Sequence, residues 1–230
     1  MIKKDMCIVL DTETVGGFDS PIIHDLGYKI VDKHFDTMTA KRFLIKELHE
    51  SAYALLRTSD FYVGKEALYK EAKANKTVKI VSFNEAITEM FNDIKEYKVN
   101  CICAYNLGFD LRALKSTYAL FNEANNEAII KKLHKLATLC IWSLACDTVL
   151  DTDNYRAFAK ANNLVKEETG NYLTSAEACY RYLFNSTYEE EHTALADVED
   201  ETMILRYIIE NFKGRVNYEI NGQCWRKVQR

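Results

Sequence analysis

The sequence predicts a mixed α/β domain in which a sheet is flanked by helices. Three strand-like apolar runs open the chain, a further strand-like run sits within sequence of otherwise helical period, and long amphipathic segments follow to residue 212. Residues 6–11, MCIVLD, read as a buried strand, and LGYKIV (26–31) and KRFLI (41–45) as two more joined by the polar turn DKHFDT. A three-stranded meander is the economical arrangement. From Glu47 to about Lys76 the pattern turns helical and alanine-rich, with an interruption near RTSDFYVGK. SFNEAITEMFNDIKEY (82–97) then predicts a helix with Ser82 as N-cap and Glu85 at capping-box spacing.

VNCICAYN (99–106) returns to strand, and FDLRALKSTYALFNE (109–123) is apolar at helical spacing, so Asp110 falls near a helix start just beyond a strand end. ATLCIWSLACDTVL (137–150) is too apolar to divide between strand and helix. NYRAFAKANN (154–163), TSAEACYRYLF (174–184) and ALADVEDETMILRYIIENF (194–212) read as helices, the second with Thr174 and Glu177 at capping-box spacing. In the tail, Asn221-Gly222 between two strand-like runs predicts a hairpin. The expected organisation is one domain over 1–212, with a helical insertion at about 47–80, and a hairpin-like tail over 213–230.

A chain of 230 residues, 48% hydrophobic and 28% charged, can bury a sizeable core and is too apolar to be disordered. It holds no run of eighteen apolar residues, and Asp5 interrupts the first residues too early for a signal peptide, so a cytoplasmic protein without a membrane partner is expected. Seven cysteines without a C-x-x-C pair suit reduced thiols, and Cys101 and Cys103, two apart on one strand, suit a buried structural role. A formal charge of −4 gives no basic footprint for holding nucleic acid through phosphate contacts alone, yet allows an enzyme whose metal ions meet the phosphate.

The chemistry begins at IVLDTET (8–14). Residues two apart on a strand share a face, so Asp11 and Glu13 can point together into one cleft, and two anions held together call for a cation. An oxygen-only set suits Mg²⁺ or Mn²⁺. AYNLGFDLRAL adds Asp110 with Asn106 four residues earlier, and HTALADVEDE adds His192 and Asp197 at the start of the last long helix. Three separate segments can converge on one site.

The order D-x-E, N-x-x-F-D and H-x-A-x-x-D resembles the histidine-containing branch of the DEDD superfamily of 3′-to-5′ exonucleases, the DnaQ-like group that includes proofreading subunits of replicative polymerases and exoribonuclease T. The match covers residues 8–18, 104–114 and 192–205 by motif and most of 6–212 by element order; the middle of the chain is similar to phage-encoded members. The resemblance implies an RNase H-like fold, a central mixed five-stranded sheet flanked by helices. It also implies that Asp11, Glu13 and Asp197 hold one divalent ion, that Asp11 and, through water, Asp110 hold a second, and that His192 is the general base for a water that Glu13 helps orient. Where the family often reads D-x-E-T-T-G, this chain has DTETVGGFD. The family's loop amides hold the terminal nucleotide, which implies a substrate role for Thr14, Val15 and Gly16, with Val15 still able to offer an amide.

Phe18 could stack on a terminal base or pack inward, and Asn106 could contact substrate or cap the following helix. Glu199, Asp200 and Glu201 read as a solvated helix face, the lysines between 65 and 79 as solubilising charge, Trp142 as packing, and His24, His34, His49 and His134 as residues without a functional role. The expected activity is a Mg²⁺- or Mn²⁺-dependent exonuclease that releases nucleoside 5′-monophosphates from the 3′ end of single-stranded nucleic acid, DNA favoured over RNA. RNA trimming stays open, because carboxylates do not read a 2′ hydroxyl. So does an accessory module docked on a polymerase or other replication protein through the tail or the insertion.

Overall fold

Strand β1 (Cys7–Val15) deals its side chains alternately to two apolar layers, and the remaining elements are arranged about it. The computed structural model describes residues 6–121, 133, 135–212 and 220–230. β2 (Ile22–Val31) and β3 (Thr37–Ile45) complete the antiparallel meander, and β4 (Lys79–Val81), β5 (Cys101–Ala104) and β6 (Ala137–Cys140) add parallel pairings. The sheet order is β4-β3-β2-β1-β5-β6. Its helices are α1 (Tyr53–Leu56), α2 (Asp60–Ala74), α3 (Phe83–Glu96), α4 (Leu107–Phe121), α5 (Ile141–Ala145), α6 (Asp153–Ala161), α7 (Ala176–Leu183), α8 (Ala194–Asn211) and α9 (Trp225–Val228), with π-helical turns at Glu47–Ser51 and Cys146–Leu150.

On one sheet face Ile8 and Leu10 join Phe83, Ala86, Ile87 and Met90 of α3 and Leu107 and Leu114 of α4. The opposite face gathers Cys7 and Val9 with Val198, Leu205 and Ile208 of α8. Helix α3 forms where its pattern predicts: Ser82 accepts from the Glu85 amide while the Glu85 carboxylate accepts from the Ser82 amide, and the apolar residues recur at helical spacing on its buried side. A third cluster, Val15, Leu44, Leu48, Leu56, Tyr62 and Tyr69, forms beneath the helical insertion. His24 and His49 are buried among its tyrosines, with ring centroids 5.3 Å from His24 to Tyr62 and 5.6 Å from His49 to Tyr69.

Several expectations need correction. Among the described residues the sheet has six strands, not five, because the three-residue β4 pairs with β3 from Phe43–Lys79 to Ile45–Val81; a strand this short leaves little periodicity between two helical patterns. Ser175, not Thr174, caps α7 by accepting from the Ala178 amide at 3.2 Å, while the Thr174 hydroxyl accepts from Trp142 Nε1 at 3.0 Å. In the tail, Trp225–Val228 is helical rather than a hairpin strand, with Cys224 and Val228 buried against the α8 layer; residues 213–219 lie outside the described residues, as does His134. All seven cysteines are buried thiols, the role expected of Cys101 and Cys103.

Gly27 decides how closely α8 can approach the sheet. A Cβ at Gly27 would lie 2.5 Å from the Ala194 carbonyl oxygen and 2.7 Å from the Leu195 nitrogen, so the first turn of α8 rests on bare backbone of β2. The Gly27→Ala variant should cost about 1–3 kcal/mol by overpacking, read by urea unfolding. Gly64→Ala, on an exposed helical position with nothing within 4 Å, should instead stabilise by about 0.5–1 kcal/mol. Equal effects of the two would contradict the close packing of α8.

Candidate active site

Because β5 runs parallel to β1, the helix that follows β5 starts at the edge where β1 ends. Asp110, in the first turn of α4, is buried there and accepts a hydrogen bond from Thr12 Oγ1 at 2.8 Å, Thr12 facing the α4 layer while Asp11 and Glu13 face α8. From the α8 layer, Asp197 in that helix's first turn completes the set: one oxygen each from Asp11, Glu13 and Asp197 lie within 4.8 Å of one another. The strands slip just beyond, where Glu13 pairs with Asp25 and Thr14 with Ile23, leaving His24 as the extra residue of a bulge.

The first turn of α8 is held from β2. Its N-cap, Thr193, makes no side-chain capping bond; the Ala194 amide donates to Asp25 Oδ2 at 3.4 Å. Asp25 is fully buried and in turn receives Arg42 through Nε at 3.0 Å and Nη2 at 2.8 Å. A carboxylate at a helix N-terminus is favoured by the helix dipole, and the two-pronged arginine fixes its orientation.

The electrostatics are those of crowded anions. Burial first, then the charges of Glu201, Asp110, Glu13 and Asp197, hold the Asp11 carboxyl well above the usual range. Burial raises Glu13 to about 7 against the opposing charge of Lys65, and raises Asp110 to about 7 against the Thr12 hydrogen bond. Asp197 is pushed up to about 9 by burial and then by Glu190 and Glu13. Asp11 Oδ2, Asp197 Oδ1 and Glu201 Oε2 are buried without a hydrogen-bond partner. Unpartnered carboxylate oxygens converging from β1 and α8 are the donor set a hard divalent cation takes, so these residues fit Mg²⁺ or Mn²⁺.

His192 takes a left-handed conformation, φ +55°. Its Nδ1 lies 3.1 Å from Glu190 Oε2, its carbonyl accepts from Lys65 Nζ at 3.2 Å, and its ring meets the edge of Phe61 with centroids 5.1 Å apart. Burial and then Lys65 lower its proton affinity. Lys65 and Phe61 come from α2, so the insertion reaches the site, with Lys65 Nζ 3.6 Å from the Phe61 ring centroid.

All five residues of the expected catalytic set, together with Asn106, line one open cleft of about 370 Å³. Thr14, Val15, Gly16 and Phe18 are not part of that lining. Val15 is buried in the third apolar cluster and pairs with Ile22, and Gly16, at φ +91°, turns the chain out of β1. Phe18 is 65% exposed rather than packed inward, beneath the Arg112 guanidinium at 4.3 Å and beside Phe109 of the cleft wall at 5.8 Å.

The acidic run after Asp197 is not the solvated face expected of it. Glu199 pairs with Lys29, but Asp200 is buried and accepts from the Tyr188 hydroxyl, and Glu201 is buried and lines the cleft. Glu201 follows Asp197 by four residues, one helical turn along the same face, and that spacing was the available signal. Trp142 also lines the cleft as well as packing. Phe61 and Lys65 join the site by tertiary contact alone, whereas Glu190 lies two residues before His192 in the run EEEH, where nothing in the spacing says which carboxylate meets the ring.

No protein-family model and no curated protein sequence matches the chain. Solved structures do. Escherichia coli exonuclease I in complex with a dA16 oligonucleotide is similar with TM-score 0.53 and 15% identity, over 92% of this chain and 42% of that one. The zinc-bound form of the E. coli exonuclease I complex with single-stranded DNA gives 0.57 and 14% over the same shares. A moderately thermophilic exonuclease I from Methylocaldum szegediense gives 0.53 and 14%, over 91% and 41%. The chain spans less than half the length of these proteins. The likeness is one of fold: the mixed sheet flanked by helices is the RNase H-like arrangement expected from the sequence. Among the described residues no helix is long and apolar enough to cross a membrane.

In the absence of metal these carboxyls bind protons more tightly folded than unfolded, their ordinary values of 3.8 and 4.5 rising to between about 7 and about 9. The folded chain then holds the extra protons across that window, so stability is greatest at its acid end and falls as pH rises through it. Thermal melts in EDTA should show the midpoint dropping from about pH 5 to about pH 9, and Mn²⁺ should recover it at the alkaline end. A midpoint indifferent to both pH and Mn²⁺ would remove the charge crowding.

Proposed function

We propose that this protein is a divalent-metal-dependent 3′-to-5′ exonuclease acting on single-stranded DNA and releasing nucleoside 5′-monophosphates. The observation that carries the reading is the convergence of Asp11, Glu13, Asp110 and Asp197 beside His192 in one open cleft, with unpartnered buried oxygens on Asp11 and Asp197. Mg²⁺ or Mn²⁺ held as a pair by these four carboxylates would supply a polarised phosphate and a more acidic water. His192, with its proton affinity lowered by burial and Lys65, is neutral near physiological pH and accepts the proton of the attacking water. Glu13 orients that water. The chain's charge of −4 fits a site in which metal, not a basic surface, meets the phosphates.

Single-stranded substrate is supported by the exposed aromatic residues at the cleft. Phe61 of the cleft lining is 53% exposed, and Phe18, beneath Arg112, lies next to Phe109 of the lining; the ring face away from its cation, Lys65 or Arg112, is the one on which an unpaired base would stack. DNA is favoured because several of the similar solved structures are complexes of exonuclease I with DNA oligonucleotides. Another of the similar structures is a complex of exonuclease I with the SSB C-terminus, so docking on a partner protein belongs to the same reading.

A 5′-labelled single-stranded DNA oligonucleotide with Mg²⁺ or Mn²⁺ should shorten to a ladder from its 3′ end, and EDTA should stop the reaction. A matched RNA strand should be cut more slowly. Intact DNA with either metal would contradict the proposal, and preferential loss of the RNA would transfer it to RNA trimming. Asp11→Asn should abolish turnover, and His192→Ala should lower kcat by about 10²- to 10⁴-fold while Mn²⁺ still binds.

A further inference from the structure

A general base needs more than the right pKa. A neutral imidazole carries one N–H, and the hydrogen bond made by one ring nitrogen decides whether the other is free to accept a proton. We propose that Glu190 is a positioning residue that engages His192 at Nδ1 and leaves Nε2 as the proton acceptor. The inference rests on the reading of His192 as general base and names what sets its tautomer.

The geometry is that of a fixed partner and a presented ring. Glu190 Oε2 lies 3.1 Å from His192 Nδ1, and the Glu190 side chain is 11% exposed against 34% for the imidazole. The carboxylate is the more buried member and the ring the more open one. Two contacts from α2 hold the backbone and ring independently: Lys65 Nζ donates to the His192 carbonyl at 3.2 Å, and Phe61 meets the ring edge-on at 5.1 Å. His192 is held in a left-handed conformation that L-residues seldom adopt, so its loop needs such support. A carboxylate that accepts from Nδ1–H and leaves Nε2 as base is a recurrent arrangement in acid–base catalysis.

Glu190 is also faced by Glu177 and Asp200, which with burial push it up to about 7, and by Lys65, which opposes them. With the carboxylate accepting from Nδ1–H, Nε2 is the base; a Glu190 carboxyl that takes up a further proton and donates it to Nδ1 requires the imidazole's own N–H to sit at Nε2, which removes the base. Glu190, His192 and Asp197 also present ligand atoms within 4.8 Å of one another, so metal ligation is the competing role for Glu190.

Nitrogen-15 NMR of the histidines in the metal-free protein reads the tautomer whether or not the protein cuts DNA. The wild type and Glu190→Gln, whose amide oxygen can still accept, should show His192 as the Nδ1–H form. Glu190→Leu should move it toward the Nε2–H form that free imidazole favours. In nuclease assays Glu190→Leu should lose about 10²-fold in kcat, Glu190→Gln should recover part of it, and KM and Mn²⁺ affinity should not change. An Nε2–H signal in the wild type would overturn the proposal. So would a loss of Mn²⁺ affinity in Glu190→Gln as large as that in Asp197→Asn, which would make Glu190 a ligand. A wild-type Nδ1–H signal in a protein without nuclease activity would leave the positioning intact and count against the exonuclease reading instead.

Discussion

Mutual repulsion among buried carboxylates is the constraint on which the rest of this structure depends. Asp11, Glu13, Asp110, Asp197 and Glu201 meet where β1 ends, and burial raises the cost of every charge they carry. An arrangement of this kind persists only if the elements that bring the groups together are anchored by interactions that do not involve them. β1 is anchored by its central position in the sheet, between β2 and β5, with apolar residues before Asp11 committed to both layers.

The helix that brings Asp197 and Glu201 is anchored differently. Its apolar side chains Val198, Leu205 and Ile208 hold the middle of α8 to the core, but the register of its first turn is set by backbone contact at Gly27 and by the Asp25–Arg42 pair beneath Ala194. A buried ion pair contributes little net stability on its own, since desolvation offsets most of the attraction. Here it gives position: a charged acceptor at a helix end that has no side-chain cap of its own. The insertion adds the cation that faces the cluster. Lys65 opposes the raised affinity of Glu13 and Asp197 for protons while its ammonium holds the His192 carbonyl, so charge balance and loop geometry depend on the same residue.

Much of this was legible in the sequence because it is written at short range. The alternation in IVLDTET puts Asp11 and Glu13 on one face, the capping box at Ser82 marks α3, and the step from strand to helix near Asn106 places Asp110 at a sheet edge. What was not legible depends on pairs distant in sequence. Gly27 looks like any strand glycine until Ala194 lies against it, and Lys65 is one lysine among several until α2 folds over the His192 loop. Glu201 was readable from its one-turn spacing to Asp197, yet a run of acidic residues is most often a solvated face and its neighbour Glu199 does remain half exposed. β4 was missed because three residues cannot display a period, and the tail because Asn-Gly marks a turn without saying which element follows it.

The central claim is that these carboxylates are held together to take up divalent cations. Calorimetric titration of the metal-free protein with Mn²⁺, repeated in buffers of different ionisation enthalpy, tests it most directly. The account predicts saturable binding accompanied by proton release near neutrality, since raised carboxyls must give up protons to become ligands, and loss of that binding in Asp11→Asn. Absence of saturable binding, or binding that survives Asp11→Asn with no proton released, would contradict it.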